Sequence, residues 1–197
     1  MPETRVTIIR HGESTFNAAH EATGRDPGHI DARLSERGHA QVERARRQLR
    51  DTPFDLVVTS PLTRALQTTT GIFSDHPSKP TILVEVLHRE CQESSCDIGR
   101  GASLLAKEFP DFEVGHLPES WWYAEGAAGA DGYHIEPRHL FDARVTGFRD
   151  WLRARPERRI AVVGHCTFFY HLTGRWLANC ETMEIDLAAE PLARAYG

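Results

Sequence analysis

Between Arg5 and Arg10 the chain reads RVTIIR, and it continues with His11, Gly12 and Glu13. Val6, Ile8 and Ile9 make a short buried strand that stops on a cation, an imidazole and a flexible joint. No other stretch constrains the fold as much. A strand of this kind delivers polar groups at its carboxyl end, and in open α/β sheets ligands bind outside those ends. Arg10 offers a planar fork matched to phosphate oxygens. His11 is suited to nucleophilic or acid/base work. Gly12 is expected to turn the backbone away and leave the imidazole uncovered. An isolated Arg-His pair after a strand is more often a surface loop, so the weight falls on what recurs further along.

The same strand-then-polar arrangement does recur. Phe54–Thr59 carries Leu56, Val57 and Val58 in succession, as a parallel strand covered on both faces does. SPLTRALQTTTG follows, with Ser60 expected as helix N-cap and Pro61 as first helical residue. Leu62, Ala65, Leu66, Thr69 and Phe73 then repeat at helical spacing. Arg64 falls in the opening turn, near the positive end of the helix dipole, and so marks an anion site. Thr81–Leu87 reads as a third strand, with Glu90 just beyond it. Arg159–Val163 reads as a fourth, ending in Gly164 and His165 ahead of a helix over Cys166–Leu177. His165 thereby repeats the placement of His11.

Helices are expected from the Ser35 cap to about Arg50, with Val42, Ala45 and Leu49 inward, and from Pro137 to about Leu152. Glu13 to His20 supplies one or two helical turns, and Thr23 to Gly28 a loop. Thr182–Leu187 alternates like a half-exposed edge strand. The sum predicts an α/β three-layer sandwich: a mostly parallel central sheet flanked by helices, as one domain over 1–197. Residues 91 to about 136 are the least regular and read as a lid insertion. Trp121, Trp122 and Tyr123 are either lid aromatics facing the substrate or ordinary packing.

Charge and cysteine usage narrow the function. A formal charge of −5, from 28 acids against 23 bases, argues against nucleic acid as partner. No run of eighteen apolar residues predicts a membrane span, and the N-terminus lacks a signal pattern, so a cytoplasmic location is expected. Cys91, Cys96, Cys166 and Cys180 fit reduced thiols there. Cys91 and Cys96 lie near His88 but lack paired C-x2-C spacing, so no metal is expected.

RHGES at 10–14, Asn17, LSERGHAQ at 34–41, TSPLTRALQT at 59–68 and VVGH at 162–165 occur in one order along the chain. Together they resemble branch 1 of the histidine phosphatase superfamily, also called phosphoglycerate-mutase-like. The resemblance implies a phosphohistidine on His11. It implies a phosphate pocket of Arg10, Arg64 and His165, with Asn17, Thr23 and Gly24 on its rim. The family places its general acid shortly after the third strand, often as L-x-E. Here Leu87 precedes Glu90 by three residues, so Glu90 is the expected acid and Glu93 its rival. Where the last motif usually has glycine, this chain has Cys166. The implied activity is hydrolysis of a small-molecule phosphate ester without a cofactor or metal. A phosphoglycerate-type mutase is the alternative, although family mutases look longer than this chain. Further alternatives are a catalytically idle phospho-ligand binder and, weakest, a zinc hydrolase. Substrate choice falls to residues 91 to 136, and no motif sets an oligomeric state.

Overall fold

The computed structural model describes residues 4–129 and 132–187. The GAAGADG tract at 126–132 is therefore described only in part. Five strands form one sheet in the order β3-β2-β4-β1-β5. β1 (Arg5–Arg10) runs parallel to β4 (Arg159–Gly164), with Ile8 opposite Val162. On its other side β4 pairs in parallel with β2 (Leu56–Thr59), and β2 with β3 (Thr81–Val84). Only β5 (Thr182–Ile185) is antiparallel, against β1.

The consecutive apolar residues of the inner strands have a direct cause: both faces of the sheet are covered. Val6, Ile8, Leu56, Val58, Ile160 and Val162 pack against α5 (Arg138–Arg153) and α6 (Cys166–Thr173). Ile9, Val57, Ala161 and Val163 pack against α2 (Glu36–Leu49) and α3 (Thr63–Phe73). Phe148, Phe168 and Phe169 are wholly buried, and each such ring contributes about 1.5–3 kcal/mol of burial energy. The remaining helices are α1 (Thr15–Thr23) and α4 (Ala102–Glu108). The α/β three-layer architecture is the expected one. No helix among the described residues is long and apolar enough to cross a membrane.

Several local expectations are corrected. Strand β3 stops at Val84, because the Glu85 carboxylate accepts the N–H of Leu87 and starts a 3-10 turn over Val86–His88. Helix α6 stops at Thr173, where Gly174 takes a left-handed φ of 78°. Helix α3 begins at Thr63 rather than Pro61, and its N-cap, Leu62, makes no side-chain cap bond. Asp31 caps it from a distance: its carboxylate accepts both the backbone N–H and the hydroxyl of Thr63. Gly12 is required for close approach rather than for a turn. A Cβ there would lie 2.8 Å from the Gly38 carbonyl oxygen on α2.

Trp121 and Trp122 of the insertion are packing. Trp121 is 4% exposed, donates its Nε1–H to the Arg100 carbonyl at 2.9 Å, and joins a core of Leu62, Leu66, Val84, Ala102 and Leu105. Most of the insertion thus forms a satellite core beside β3.

Candidate active site

The parallel strands leave the sheet on one side, and their exits are laced together. The N–H of His11 donates to Gly164 O at 2.9 Å, Ser60 N–H to Val163 O at 3.2 Å, and Glu85 N–H to Thr59 O at 2.9 Å. This lacing brings residues 11, 60 and 165 to one edge. A cavity of about 180 Å³ opens there, walled by Arg10, His11, Asn17, Arg64, Glu90 and Glu93, with Asp97 and Cys166 beside them.

His11 is buried and its tautomer is fixed. Nδ1 lies 2.7 Å from the Gly12 carbonyl, which can only accept, so Nδ1 carries the proton and Nε2 the lone pair. The Arg64 Nε–H points at that lone pair from 3.2 Å. Burial first, then the charges of Arg64 and Arg10, hold the His11 pKa well below its usual value. The imidazole is therefore neutral at pH 7.

Arg64 is itself buried. Its other donors go to the Cys96 carbonyl at 2.5 Å and to Asp97 Oδ1 at 2.9 Å. Asp97 also accepts the N–H groups of Glu93 and Ser94. Arg10 donates to Leu177 O at 2.7 Å, while its buried Nε has no partner among the described residues. Asn179 Nδ2–H donates to the His11 carbonyl at 3.0 Å and so fixes the backbone at residue 11.

Glu90 lies across the cavity at the start of α6. Its carboxylate accepts the N–H groups of Thr167 at 3.0 Å, Phe168 at 2.9 Å and Cys91 at 3.0 Å. Those bonds favour the charged form, yet desolvation, aided by the charge of Asp97, outweighs them and pushes its pKa up to about 7. Glu90 thus exchanges a proton near neutrality.

The remaining expected residues are placed differently. His165 is fully buried behind His11, with ring centroids 5.2 Å apart. It shares a 2.7 Å hydrogen bond with the Ser60 hydroxyl, and its buried Nδ1 has no partner among the described residues. Asn17 lines the cavity, but its Oδ1 also accepts the Ser14 N–H in a capping box. Thr23 and Gly24 do not line the cavity. Thr23 ends α1 with its hydroxyl on Ala19 O, and Gly24 is that helix's left-handed cap at φ 68°. Glu93 is in the wall beside Glu90. Asp97 and Asn179 were missed. Ser94 to Asp97 is a capping-box sequence and marked a helical turn there, whereas nothing local singled out Asn179.

Comparison with known proteins follows from this geometry. The family model described as "Histidine phosphatase superfamily (branch 1)" matches residues 6–189. A "Phosphoglycerate mutase-like protein" of Arabidopsis thaliana is 24% identical, over 89% of this chain and 75% of its own length. The "2-carboxy-D-arabinitol-1-phosphatase" of Triticum aestivum is 30% identical, over 96% of this chain but 38% of its own length. Among solved structures, the alpha-ribazole phosphatase from Shigella flexneri superposes with a TM-score of 0.64 at 21% identity, covering 93% of this chain and 90% of that one. That likeness is one of fold.

Proposed function

The chain belongs to the histidine phosphatase superfamily, and on that premise we propose that it hydrolyses small-molecule phosphate monoesters through a phosphohistidine on His11. One arrangement carries this reading: a neutral imidazole whose Nε2 lone pair, held only by the Arg64 Nε–H, stands at a cavity that two arginines and a proton-bearing carboxyl share.

A phosphoryl group in transfer spreads charge over its equatorial oxygens, so positioning and countercharge do most of the work. Arg10 and Arg64 supply the countercharge. An arriving phosphate oxygen competes with His11 Nε2 for the Arg64 Nε–H and uncovers the lone pair. His165, packed against His11 and wholly buried, backs the imidazole, and its contact with phosphate follows only if His11 swings. Asn17 contributes to the pocket wall, while Thr23 and Gly24 take no direct part.

In the first step His11 Nε2 forms the N–P bond as the ester P–O bond breaks, and the Glu90 proton passes to the departing alkoxide, releasing an alcohol. In the second, the Glu90 carboxylate removes a proton from water. The hydroxide oxygen bonds to phosphorus, the P–N bond breaks, and phosphate leaves with His11 restored. No metal enters this scheme, and a reducing compartment such as the cytoplasm fits four free thiols.

The test is to quench the enzyme in mid-turnover with a radiolabelled phosphate ester. Label bound to protein, stable in base, lost in acid and absent from His11→Ala is the expected result. No label on wild type during demonstrable turnover overturns the reading. The mutase-like relative favours a second outcome for one substrate class, in which the phosphoryl group returns to substrate. Following 2-phosphoglycerate against free phosphate from 3-phosphoglycerate separates the two.

A further inference from the structure

We propose that Arg144 is a positioning residue for Glu90, acting through the backbone it holds. The proposal rests on Glu90 being the general acid.

After the 3-10 turn at Val86–His88 the chain runs to Gln92 without helix or strand. Its carbonyls therefore have no ladder partners, and a buried carbonyl without a partner is costly. Arg144 supplies them. It sits on the inward stripe of α5 with Phe141, Val145 and Phe148, and it is 8% exposed. One terminal nitrogen donates to Leu87 O and to Arg89 O, each at 2.7 Å. The other donates to Glu90 O at 3.1 Å and to Glu136 Oε2 at 2.6 Å. Nε–H completes the set on Glu136 Oε1 at 2.9 Å.

A guanidinium has five N–H bonds, and here each meets an acceptor within the protein. None is left for a phosphate, so Arg144 does not bind substrate. Glu136 is anchored in turn by its own N–H on Gln92 O at 3.0 Å and by Arg89 at 2.9 Å. Glu90 is consequently gripped at both ends: its carbonyl by Arg144, its carboxylate by the first turn of α6. The two grips meet at Phe168: the Arg144 guanidinium lies 5.7 Å from the centroid of its ring, and its backbone N–H holds the carboxylate.

A buried ion pair is a poor device for stability alone, since apolar residues of similar volume often do as well. Holding three carbonyls from one guanidinium fork is something apolar residues cannot do. Lysine, with a compact ammonium, reproduces the charge but not the fork.

The readout is kcat/KM, which covers events up to departure of the alcohol, for an alkyl ester (glycerol phosphate) and an aryl ester (p-nitrophenyl phosphate). An aryl leaving group needs almost no proton. A purely structural defect lowers both values by one factor; a misplaced acid lowers only the alkyl value. Arg144→Lys is expected to cut alkyl kcat/KM about thirtyfold or more and the aryl value less than about threefold. Combined with Glu90→Gln it should remove little further alkyl activity, because both changes act through one group. Equal losses on the two esters, or additive losses in the double variant, overturn the proposal. If Arg144→Lys does not fold, Glu136→Gln, which loosens the anchor and keeps the arginine, is judged by the same ratio. If Glu90→Gln shows the alkyl-selective loss and the Arg144 or Glu136 variant does not, this proposal alone falls. If Glu90→Gln itself shows no selectivity, the assignment of the acid falls, and the role of Arg144 with it.

Discussion

His11 and Glu90 face one cavity from walls built in different ways. On the phosphate side, His11 and Arg64 stand at a strand exit and in a helix's opening turn, and backbone hydrogen bonds between neighbouring strands register the site. On the opposite side, Glu90 stands on irregular chain and Asp97 ends a single 3-10 turn, Ser95–Asp97, and the segment is located by side chains: Arg144 on the carbonyls, and the Asp97 carboxylate on the N–H groups of Glu93 and Ser94. A sheet edge fixes its groups as a by-product of being a sheet. A loop has to be given its geometry bond by bond. In the proposed mechanism, the wall that attacks phosphorus is thus set by the sheet architecture, and the wall that handles the departing alcohol is set by individual side chains.

Perturbing each wall should leave a different kinetic trace. The largest effect is expected for His11→Ala, which lowers kcat/KM for alkyl and aryl esters alike, by at least about 10³-fold. A loss confined to one ester class would mean that the phosphate wall is misassigned. Glu90→Gln comes next, with about 10²–10³-fold on glycerol phosphate and less than about tenfold on p-nitrophenyl phosphate. Equal losses would transfer the acid role to Glu93, and Glu93→Gln would then be the variant to measure.

pH gives the third contrast. Glu90 serves as acid only while protonated, and its raised pKa of about 7 keeps the proton through the mildly acidic range. The alkyl-to-aryl ratio of kcat/KM should be flat below neutrality and fall above about pH 7, approaching about tenfold per pH unit. The ratio cancels enzyme ionisations that act on both esters alike, so a ratio that does not fall above neutrality contradicts the assignment. Asp97→Asn joins the two walls, because Asp97 binds Arg64 and its charge raises Glu90. It should shift the fall in that ratio to lower pH while slowing both esters through a loosened Arg64. An unmoved pH edge would remove Asp97 from the acid's environment. The smallest effect belongs to Asp31→Ala, which uncaps α3 under Arg64. Denaturant unfolding should report a loss of about 1–2 kcal/mol, and both ester classes should slow by one common factor.

The same division decides what could be read in advance. β1 was legible to the residue and β4 to within one, because a run buried on both faces leaves no other reading. The strand-end pair His11 and His165 and the helix-start arginine followed from that. Local signals misled where distant groups outbid them. Ser60 and Pro61 form a sound cap sequence, but Asp31 arrives from another loop and the Ser60 hydroxyl is occupied by His165. Thr23 and Gly24 do carry turn chemistry, spent on ending α1 rather than on the pocket. Arg144 left one visible sign: a charge on the stripe of Phe141, Val145 and Phe148, where an amphipathic helix should be apolar.

Strand β1, which ends at the cavity, is flanked on both sides by partners from far downstream, with Arg5 beside Arg159 and Val6 beside Ile185. During synthesis, β1 must wait for β4 and β5 before either of its edges is satisfied. Such long-range closure slows folding and leaves a sticky apolar ribbon exposed in the meantime. A nascent chain halted before β4 therefore carries His11 without Gly164, which accepts its N–H, and without His165, which packs on its ring.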